Sequence, residues 1–209
     1  MLLEVKNLCF SYAKPTSKAS DRLLYNNFNL TVNSDERLGI IAPSGFGKTT
    51  LCKLIAGYER PLSGEVLLDG IPLENYKGYC PIQMIWQHPE LAVNPKLKMK
   101  EILSEAGKIP KEMLSALGIQ ESWMTRYPIE LSGGELQRFC IARALAPDTK
   151  FLIADEISTM LDLVTQSQLW HFLISEVSKR NIGLITVSHS EALLDQIATK
   201  KLNLFSKAN

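Results

Sequence analysis

Residues 42–49, with the sequence Ala-Pro-Ser-Gly-Phe-Gly-Lys-Thr, combine the residue types that can hold a phosphate group. They lie between a short apolar run and a stretch with helical spacing, and so between a predicted strand and a predicted helix. The glycines let the backbone curl until its N–H groups converge on phosphate oxygens, and the start of the helix adds its dipole. Lys48 could reach the terminal phosphates, and the Thr49 hydroxyl could bind Mg²⁺. A glycine-rich turn with an exposed lysine remains the alternative.

Two neighbouring carboxylates, Asp155 and Glu156, follow the apolar run 151–154. Ligands of open α/β sheets bind where the strands end, so this pair stands at a favourable position. Asp155 could hold the Mg²⁺ shell, and Glu156 could accept a proton from an attacking water molecule. An exposed turn after a buried strand would have the same sequence. The preceding phosphate loop favours the catalytic interpretation.

A second possible anion cradle lies in residues 131–138, Leu-Ser-Gly-Gly-Glu-Leu-Gln-Arg, at the start of a helix predicted over residues 135–145. Ser132 and the backbone of Gly133 and Gly134 would supply donors at the positive end of that helix. The segment resembles the LSGGQ signature of ATP-binding cassette (ABC) proteins, with Glu135 in the last position. The resemblance implies that this cradle holds the nucleotide of a facing subunit, so that ATP joins a head-to-tail dimer.

Other segments resemble ABC motifs in the same order, over about residues 1–197. By this resemblance Tyr12 stacks on adenine, Gln87 is the Q-loop glutamine, Asp162 ends the D-loop, and His189 contacts the γ-phosphate. The residues expected to bind ATP are Tyr12, Pro43, Ser44, Gly45, Phe46, Gly47, Lys48, Thr49 and Thr50. The expected catalytic residues are Glu156, His189 and Lys48, and the expected Mg²⁺ ligands are Thr49, Gln87 and Asp155.

The sequence departs from the family pattern at Ala42, where the first glycine of the phosphate loop is usual, and at Phe46, where a small residue is usual. Glu135 replaces glutamine, and Ile157 replaces proline. Alanine disfavours positive φ, so the entry to the loop is either ordinary or strained.

Alternating strands and helices predict an α/β protein with a parallel sheet. Strands are predicted over residues 2–10, 24–32, 38–41 and 183–187, a loop over 13–21, a hairpin at Asp69-Gly70, and helices over 49–56 and 163–177. The resemblance implies a P-loop NTPase (RecA-like) core with an antiparallel β-subdomain. It further implies a single domain over residues 1–209, with a helical signature subdomain at about 88–146.

The composition of the 209 residues is that of a soluble globular protein, with 45% hydrophobic and 22% charged residues. The formal net charge of +1 gives no reason to expect nucleic acid as a partner. The four cysteines have no metal-binding spacing, and neither a signal peptide nor a membrane-spanning segment is expected. If the protein serves a membrane, we expect it on the cytoplasmic face, held by a permease partner.

Two further segments resemble one group within the family, the cassettes that drive dipeptide, oligopeptide and nickel importers. Residues 87–95, Gln-His-Pro-Glu-Leu-Ala-Val-Asn-Pro, are similar to its FQDP…LNP stretch, and residues 127–130, Tyr-Pro-Ile-Glu, to its YPxEL. The group implies a second cassette, identical or different, together with permease subunits, an extracytoplasmic solute-binding protein, and a peptide or metal-chelate cargo. A non-transport ABC ATPase acting on DNA or ribosomes and a binding-only regulatory cassette are the alternatives. A kinase or GTPase would leave the signature unexplained.

Overall fold

A computed structural model of the protein describes residues 1–12, 23–159 and 161–204. Its strands are β1 (Leu2–Phe10), β2 (Tyr25–Asn33), β3 (Arg37–Ile41), β4 (Ser63–Leu68), β5 (Ile71–Pro72), β6 (Ile82–Ile85), β7 (Phe151–Asp155), β8 (Gly183–Val187) and β9 (Lys200–Asn203). Its α-helices are α1 (Lys48–Ile55), α2 (Met99–Ser104), α3 (Lys111–Ala116), α4 (Gly133–Ala144), α5 (Leu163–Arg180) and α6 (Glu191–Ile197). The loop predicted over residues 13–21 and the D-loop residue Met160 lie outside the described residues.

The central sheet is parallel throughout and has the strand order β6-β7-β8-β3-β9. Every residue of β7 and β8 is buried, as expected for strands covered on both faces. This confirms the predicted α/β core. Because all its strands run the same way, the segments that follow β3, β6, β7 and β8 emerge at one edge.

A second sheet is antiparallel, with the order β2-β1-β4-β5. Asp69 (φ 50°) and Gly70 (φ 77°) form the tight turn between β4 and β5. Positive φ at both central residues gives the turn the twist that a two-residue hairpin needs, and Asp-Gly tolerates it. The predicted hairpin and antiparallel sheet are therefore both present.

Helices α2, α3 and α4 lie between β6 and β7, and the first two of them are short. Met99 and Ile102 of α2 and Phe139 and Ile141 of α4 are fully buried. The helix predicted from residue 135 begins at Gly133 instead. The signature glycines therefore belong to its first turn, because Ser132 caps the helix two residues earlier than the apolar spacing indicates.

Two apolar clusters hold the layers together, and β7 contributes to both. Leu152 and Ala154 pack with the helices that follow β6 and with α5. Phe151 and Ile153 pack on the other face with α1 and the antiparallel sheet. The alternation follows from the two-residue period of a strand. Within the described ranges, no helix has both the length and the apolar character that crossing a bilayer requires.

Candidate nucleotide site

The phosphate loop connects β3 to α1, and its two glycines adopt left-handed backbone. Gly45 and Gly47 both have φ 83°, a conformation that L-residues with a Cβ rarely adopt. Gly47 is also the N-cap of α1, and a Cβ there would lie 2.9 Å from Leu24. Ala42 is buried and is not among the described non-glycine residues with positive φ. Alanine therefore fits the loop entry without backbone strain.

Lys48 begins α1 and is almost completely buried, with 5% of its surface exposed. Its Nζ donates hydrogen bonds to the carbonyl oxygens of Ala42 (2.9 Å) and Pro43 (3.0 Å). The same Nζ lies 3.9 Å from Oε1 of Glu156. A buried ammonium needs such partners because desolvation is costly. The loop's own carbonyls thus hold the lysine charge in place at the carboxyl edge of the sheet.

Glu156 and His189 meet because they follow neighbouring strands, β7 and β8. Oε1 of Glu156 lies 2.7 Å from Nε2 of His189. The Glu156 N–H donates to the carbonyl of Val187 (3.1 Å), so this contact continues the pairing of the two strands. Glu156 has φ 51°, and a left-handed non-glycine residue costs of order 1 kcal/mol. The position of its carboxylate between Lys48 and His189 is therefore maintained against a local backbone preference.

Asp155 ends β7 with 2% of its surface exposed. Burial raises the pKa of its carboxyl, and the nearby Glu156 adds to this, whereas a hydrogen bond with the Thr49 side chain acts in the opposite direction. Among the described residues, its Oδ1 is buried without a hydrogen-bond partner. A buried carboxylate oxygen without a donor beside a hydroxyl is an oxygen ligand set suited to Mg²⁺.

The same residues do not form a metal cage by themselves. In the described part of the chain, no group of three or more His, Cys, Asp or Glu side chains could hold a metal. Mg²⁺ commonly binds through one or two carboxylates together with phosphate oxygens of the substrate. Thr49 and Asp155 fit that mode. Gln87, the third expected ligand, follows β6 next to β7, and it lines a small cavity with Gly133, Gln137 and Thr159.

The signature residues make their polar contacts with one another. The Ser132 N–H donates to Oε2 of Glu135 (2.7 Å), and the Glu135 N–H donates to Oγ of Ser132 (3.3 Å). This reciprocal pair is a capping box, and the N–H of Ser132 lowers the pKa of Glu135. A Cβ added at Gly133 would meet nothing within 4 Å. The backbone of the cradle is consequently accessible from outside the subunit.

Asp162 lies at the start of α5, where its carboxylate accepts hydrogen bonds from the N–H groups of Val164 and Thr165, both at 3.0 Å. The hydroxyl of Thr165 donates to its second oxygen (2.6 Å). These bonds lower the pKa of Asp162. In the single subunit this residue therefore acts as an N-cap.

Tyr12 is 65% exposed, and its hydroxyl is 3.0 Å from Oγ1 of Thr50. Its ring packs edge-on against Phe10, with 4.9 Å between centroids. The tyrosine expected to stack on adenine therefore lies beside the first turn of α1. Pro43, Ser44 and Phe46 are exposed residues of the phosphate loop.

Two residues near the site were not identified from the sequence. Ser158 is buried, and its Oγ accepts hydrogen bonds from Gln166 and from the indole of Trp170, both at 3.1 Å. These bonds tie the segment after Glu156 to α5. Tyr25 donates its hydroxyl to the carbonyl of Gly47 at 3.0 Å. No local pattern reveals either residue, because their partners are distant in sequence or on another element.

The fold and the arrangement of the site define an ATP-binding cassette, and comparisons with known proteins agree. The sequence profile of the family described as ABC transporter matches residues 25–159. The chain is 31% identical, over 95% of its length and 70% of the relative's, to the dipeptide transport ATP-binding protein of Lactococcus lactis subsp. cremoris (strain MG1363). It is 33% identical to the nickel import ATP-binding protein of Shigella dysenteriae serotype 1 (strain Sd197), over 95% of this chain and 82% of that one.

The fold is also similar to that of solved cassettes. One is the dimeric structure of a post-hydrolysis state of an ATP-binding cassette bound to ADP and Pi, with a TM-score of 0.81 and 23% identity. The match covers 97% of this chain and 94% of that one. The protein therefore belongs to the ABC transporter family. It is an ABC ATPase, a cassette of the kind whose ATP hydrolysis is coupled to transport across a membrane.

Proposed function

We propose that this chain is the ATP-hydrolysing subunit of an importer for a small solute, a peptide or a nickel or other metal chelate. The observation that supports hydrolysis best is the joining of Lys48, Glu156 and His189 at one edge of the sheet, with distances of 3.9 and 2.7 Å to the same carboxylate oxygen. A lysine, a carboxylate and an imidazole together supply what phosphoryl transfer to water needs.

In this proposal the phosphates of ATP lie over the first turn of α1, among the N–H groups of residues 44–50 and the Lys48 ammonium. Tyr12 binds the adenine. Glu156 accepts a hydrogen bond from the attacking water and takes its proton. His189 contacts the γ-phosphate as its charge redistributes. The chain's contribution is mainly the positioning of reactants and the stabilisation of charge.

Mg²⁺ would be held by Thr49 and Asp155, and it would neutralise charge between the β- and γ-phosphates. Gln87, the third proposed ligand, follows β6, the strand that pairs with β7, and also lines a small cavity with the signature glycines. This position suits a role in which Gln87 responds to movement of the signature segment.

The signature is proposed to complete the site of a second cassette. Ser132 and Gly133 are exposed, and a Cβ at Gly133 would meet nothing within 4 Å. One chain does not need two phosphate cradles for one nucleotide. Closure of a head-to-tail dimer on ATP, and its opening after loss of the γ-phosphate, would then drive transport. We propose that residues 1–209 form one cassette, with a helical subdomain at about 88–146.

The choice of an importer rests on the dipeptide and nickel transport relatives and on the two segments that resemble that group. In residues 87–95, Pro89–Leu91 forms a 3₁₀ turn that packs on α4, where Cys140 Sγ donates to the Pro89 carbonyl at 3.7 Å. The proposed partners are permease subunits, a second cassette and an extracytoplasmic solute-binding protein. This chain itself is proposed to lie at the cytoplasmic face of the membrane.

The test is Mg²⁺-dependent ATP turnover by the purified chain, alone and after mixing with candidate partner cassettes, beside the variant Glu156→Gln. We expect the variant to bind ATP and to lose turnover by about 10²- to 10⁴-fold, the usual contribution of a general base. Unchanged turnover would remove Glu156 as the base. A wild-type chain that binds no MgATP would contradict the proposed function as a whole.

A further inference from the structure

The carbonyl of Gly47 has two donors at the point where the phosphate loop becomes helix. The Leu51 N–H donates to it at 2.8 Å, which is the first intrahelical hydrogen bond of α1. The Tyr25 hydroxyl donates to the same oxygen at 3.0 Å. Both lone pairs of this carbonyl are therefore engaged, one by the helix and one by a side chain from the antiparallel sheet.

Fixing this carbonyl also fixes the N–H of Lys48, because the two groups belong to one planar peptide unit and point in opposite directions. That N–H lies at the N-terminus of α1, among the donors that have no intrahelical partner. Such donors are the groups that a phosphate at a helix start would use. The orientation of the Tyr25 hydroxyl thus bears directly on the cradle without contact with the nucleotide.

The packing around Tyr25 fixes the position of its side chain beside the Gly47–Lys48 peptide unit. It is 7% exposed, faces Phe10 across the strand pair, and packs against Phe28 with 5.4 Å between ring centroids. Burial raises the pKa of its hydroxyl further above the usual range, so the group remains a donor. The preceding residue, Leu24, occupies the space that a Cβ on Gly47 would need. The start of β2 and the residue before it therefore contact the phosphate loop at Gly47.

We propose that Tyr25 is a positioning residue of the nucleotide site, whose hydroxyl orients the Gly47–Lys48 peptide unit and so presents the Lys48 N–H to the phosphates. The inference rests on the proposed function. In this proposal the peptide unit contacts phosphate before and after hydrolysis alike. Loss of the Tyr25 hydroxyl should therefore weaken the binding of ADP and of ATP to the same extent. Binding that is equal in the ground and transition states changes KM and leaves kcat unaltered.

The experiment is calorimetric titration of the purified full chain with MgADP and with the non-hydrolysable MgAMP-PNP. Tyr25→Phe removes only the hydroxyl and keeps the buried ring. Tyr76→Phe is the matched control, because its hydroxyl also donates to a backbone carbonyl, that of Leu68 at 3.2 Å, away from the phosphate loop. We expect Tyr25→Phe to raise the Kd of both nucleotides about 3- to 10-fold, the value of one net hydrogen bond, and Tyr76→Phe to leave it unchanged.

A merely structural role gives a different result. In that case Tyr25→Phe would lower Tm and the fraction of binding-competent protein, seen as the stoichiometry, while the Kd of the competent fraction stayed at the wild-type value. That outcome overturns the inference and leaves the proposed function intact. An equal rise in Kd for Tyr76→Phe would overturn it as well. Failure of the wild-type chain to bind either nucleotide would overturn both.

Discussion

The carboxyl edge of the parallel sheet and the start of α4 are both suited to hold an anion, but their polar groups are arranged differently. At the sheet edge, Lys48, Glu156 and His189 come from three separate segments, and Lys48 and His189 both contact the Glu156 carboxylate. At the start of α4, Ser132 and Glu135 are neighbours in sequence and satisfy each other. The first site is assembled by tertiary structure, and the second by one helix cap.

In the proposed function, this difference allows one subunit to contribute half of each of two nucleotide sites. The charged groups at the sheet edge are stabilised by one another or by the charge of a ligand. Asp155 there has a buried oxygen that lacks a donor among the described residues. The capped signature is stable without a ligand and leaves its backbone exposed. We infer that nucleotide binding depends first on the sheet edge, and that the signature acts only when a second cassette brings a nucleotide to it.

Of three variants that test this comparison, Lys48→Met at the sheet edge is expected to have the largest effect. The variant loses a charge-assisted contact with the phosphates, so we expect nucleotide affinity to fall by about 10- to 100-fold. Calorimetry with MgADP measures it. Lys53→Met is the matched control, since Lys53 lies on the same helix with its ammonium over the ring of Trp86. A Kd for Lys48→Met equal to that of the control would remove Lys48 from the site.

An intermediate effect is expected from Ser132→Ala, which tests the other side of the comparison. The variant should bind MgADP as the wild type does, because the proposed nucleotide site of the monomer lies at the sheet edge. Turnover by the dimer should fall about tenfold through loss of one hydrogen bond to a charged group. Loss of the cap also costs about 1 kcal/mol of stability, so turnover is compared well below Tm. Weaker MgADP binding by the dilute monomer would contradict the inference that the signature acts only in the dimer.

The smallest effect is expected from Asp155→Asn, which tests whether the buried carboxylate at the sheet edge destabilises the nucleotide-free protein. Burial raises the pKa of Asp155 in the folded state, so over the window above its ordinary pKa the native protein binds more protons than the unfolded chain. Wild-type stability therefore falls as pH rises through that window. Removing the charge should raise Tm at neutral pH more than at acidic pH.

Thermal unfolding of the nucleotide-free protein at the two pH values measures this difference. The Tm of the variant should also rise less on addition of MgADP than that of the wild type, because the variant lacks a proposed ligand of the metal. A lower Tm at neutral pH would show that the carboxylate stabilises the empty site, in conflict with its burial.

Much of the fold could be predicted because its signals are local. The buried strands β7 and β8 are continuous apolar runs, and the Asp69-Gly70 turn has the sequence that its positive φ values require. Helix α5 extends three residues beyond its predicted end at residue 177. It stops at Asn181, whose left-handed backbone (φ 51°) ends a helix much as glycine does. Strands β6 and β9 and helix α6 are short and were not assigned from the sequence, because short apolar runs carry little periodicity.

The sequence by itself determined the type of chemistry, since a phosphate loop, an acidic pair after a buried strand and a signature at a helix start depend on residue types at fixed spacing. Tertiary structure alone decided that Ala42 is unstrained, that Glu156 lies between Lys48 and His189, and that Tyr25 contacts Gly47. The physical reason is the strand order β7-β8-β3, which brings distant segments to one edge. Contacts between residues far apart in the chain depend on packing, and no local pattern encodes them.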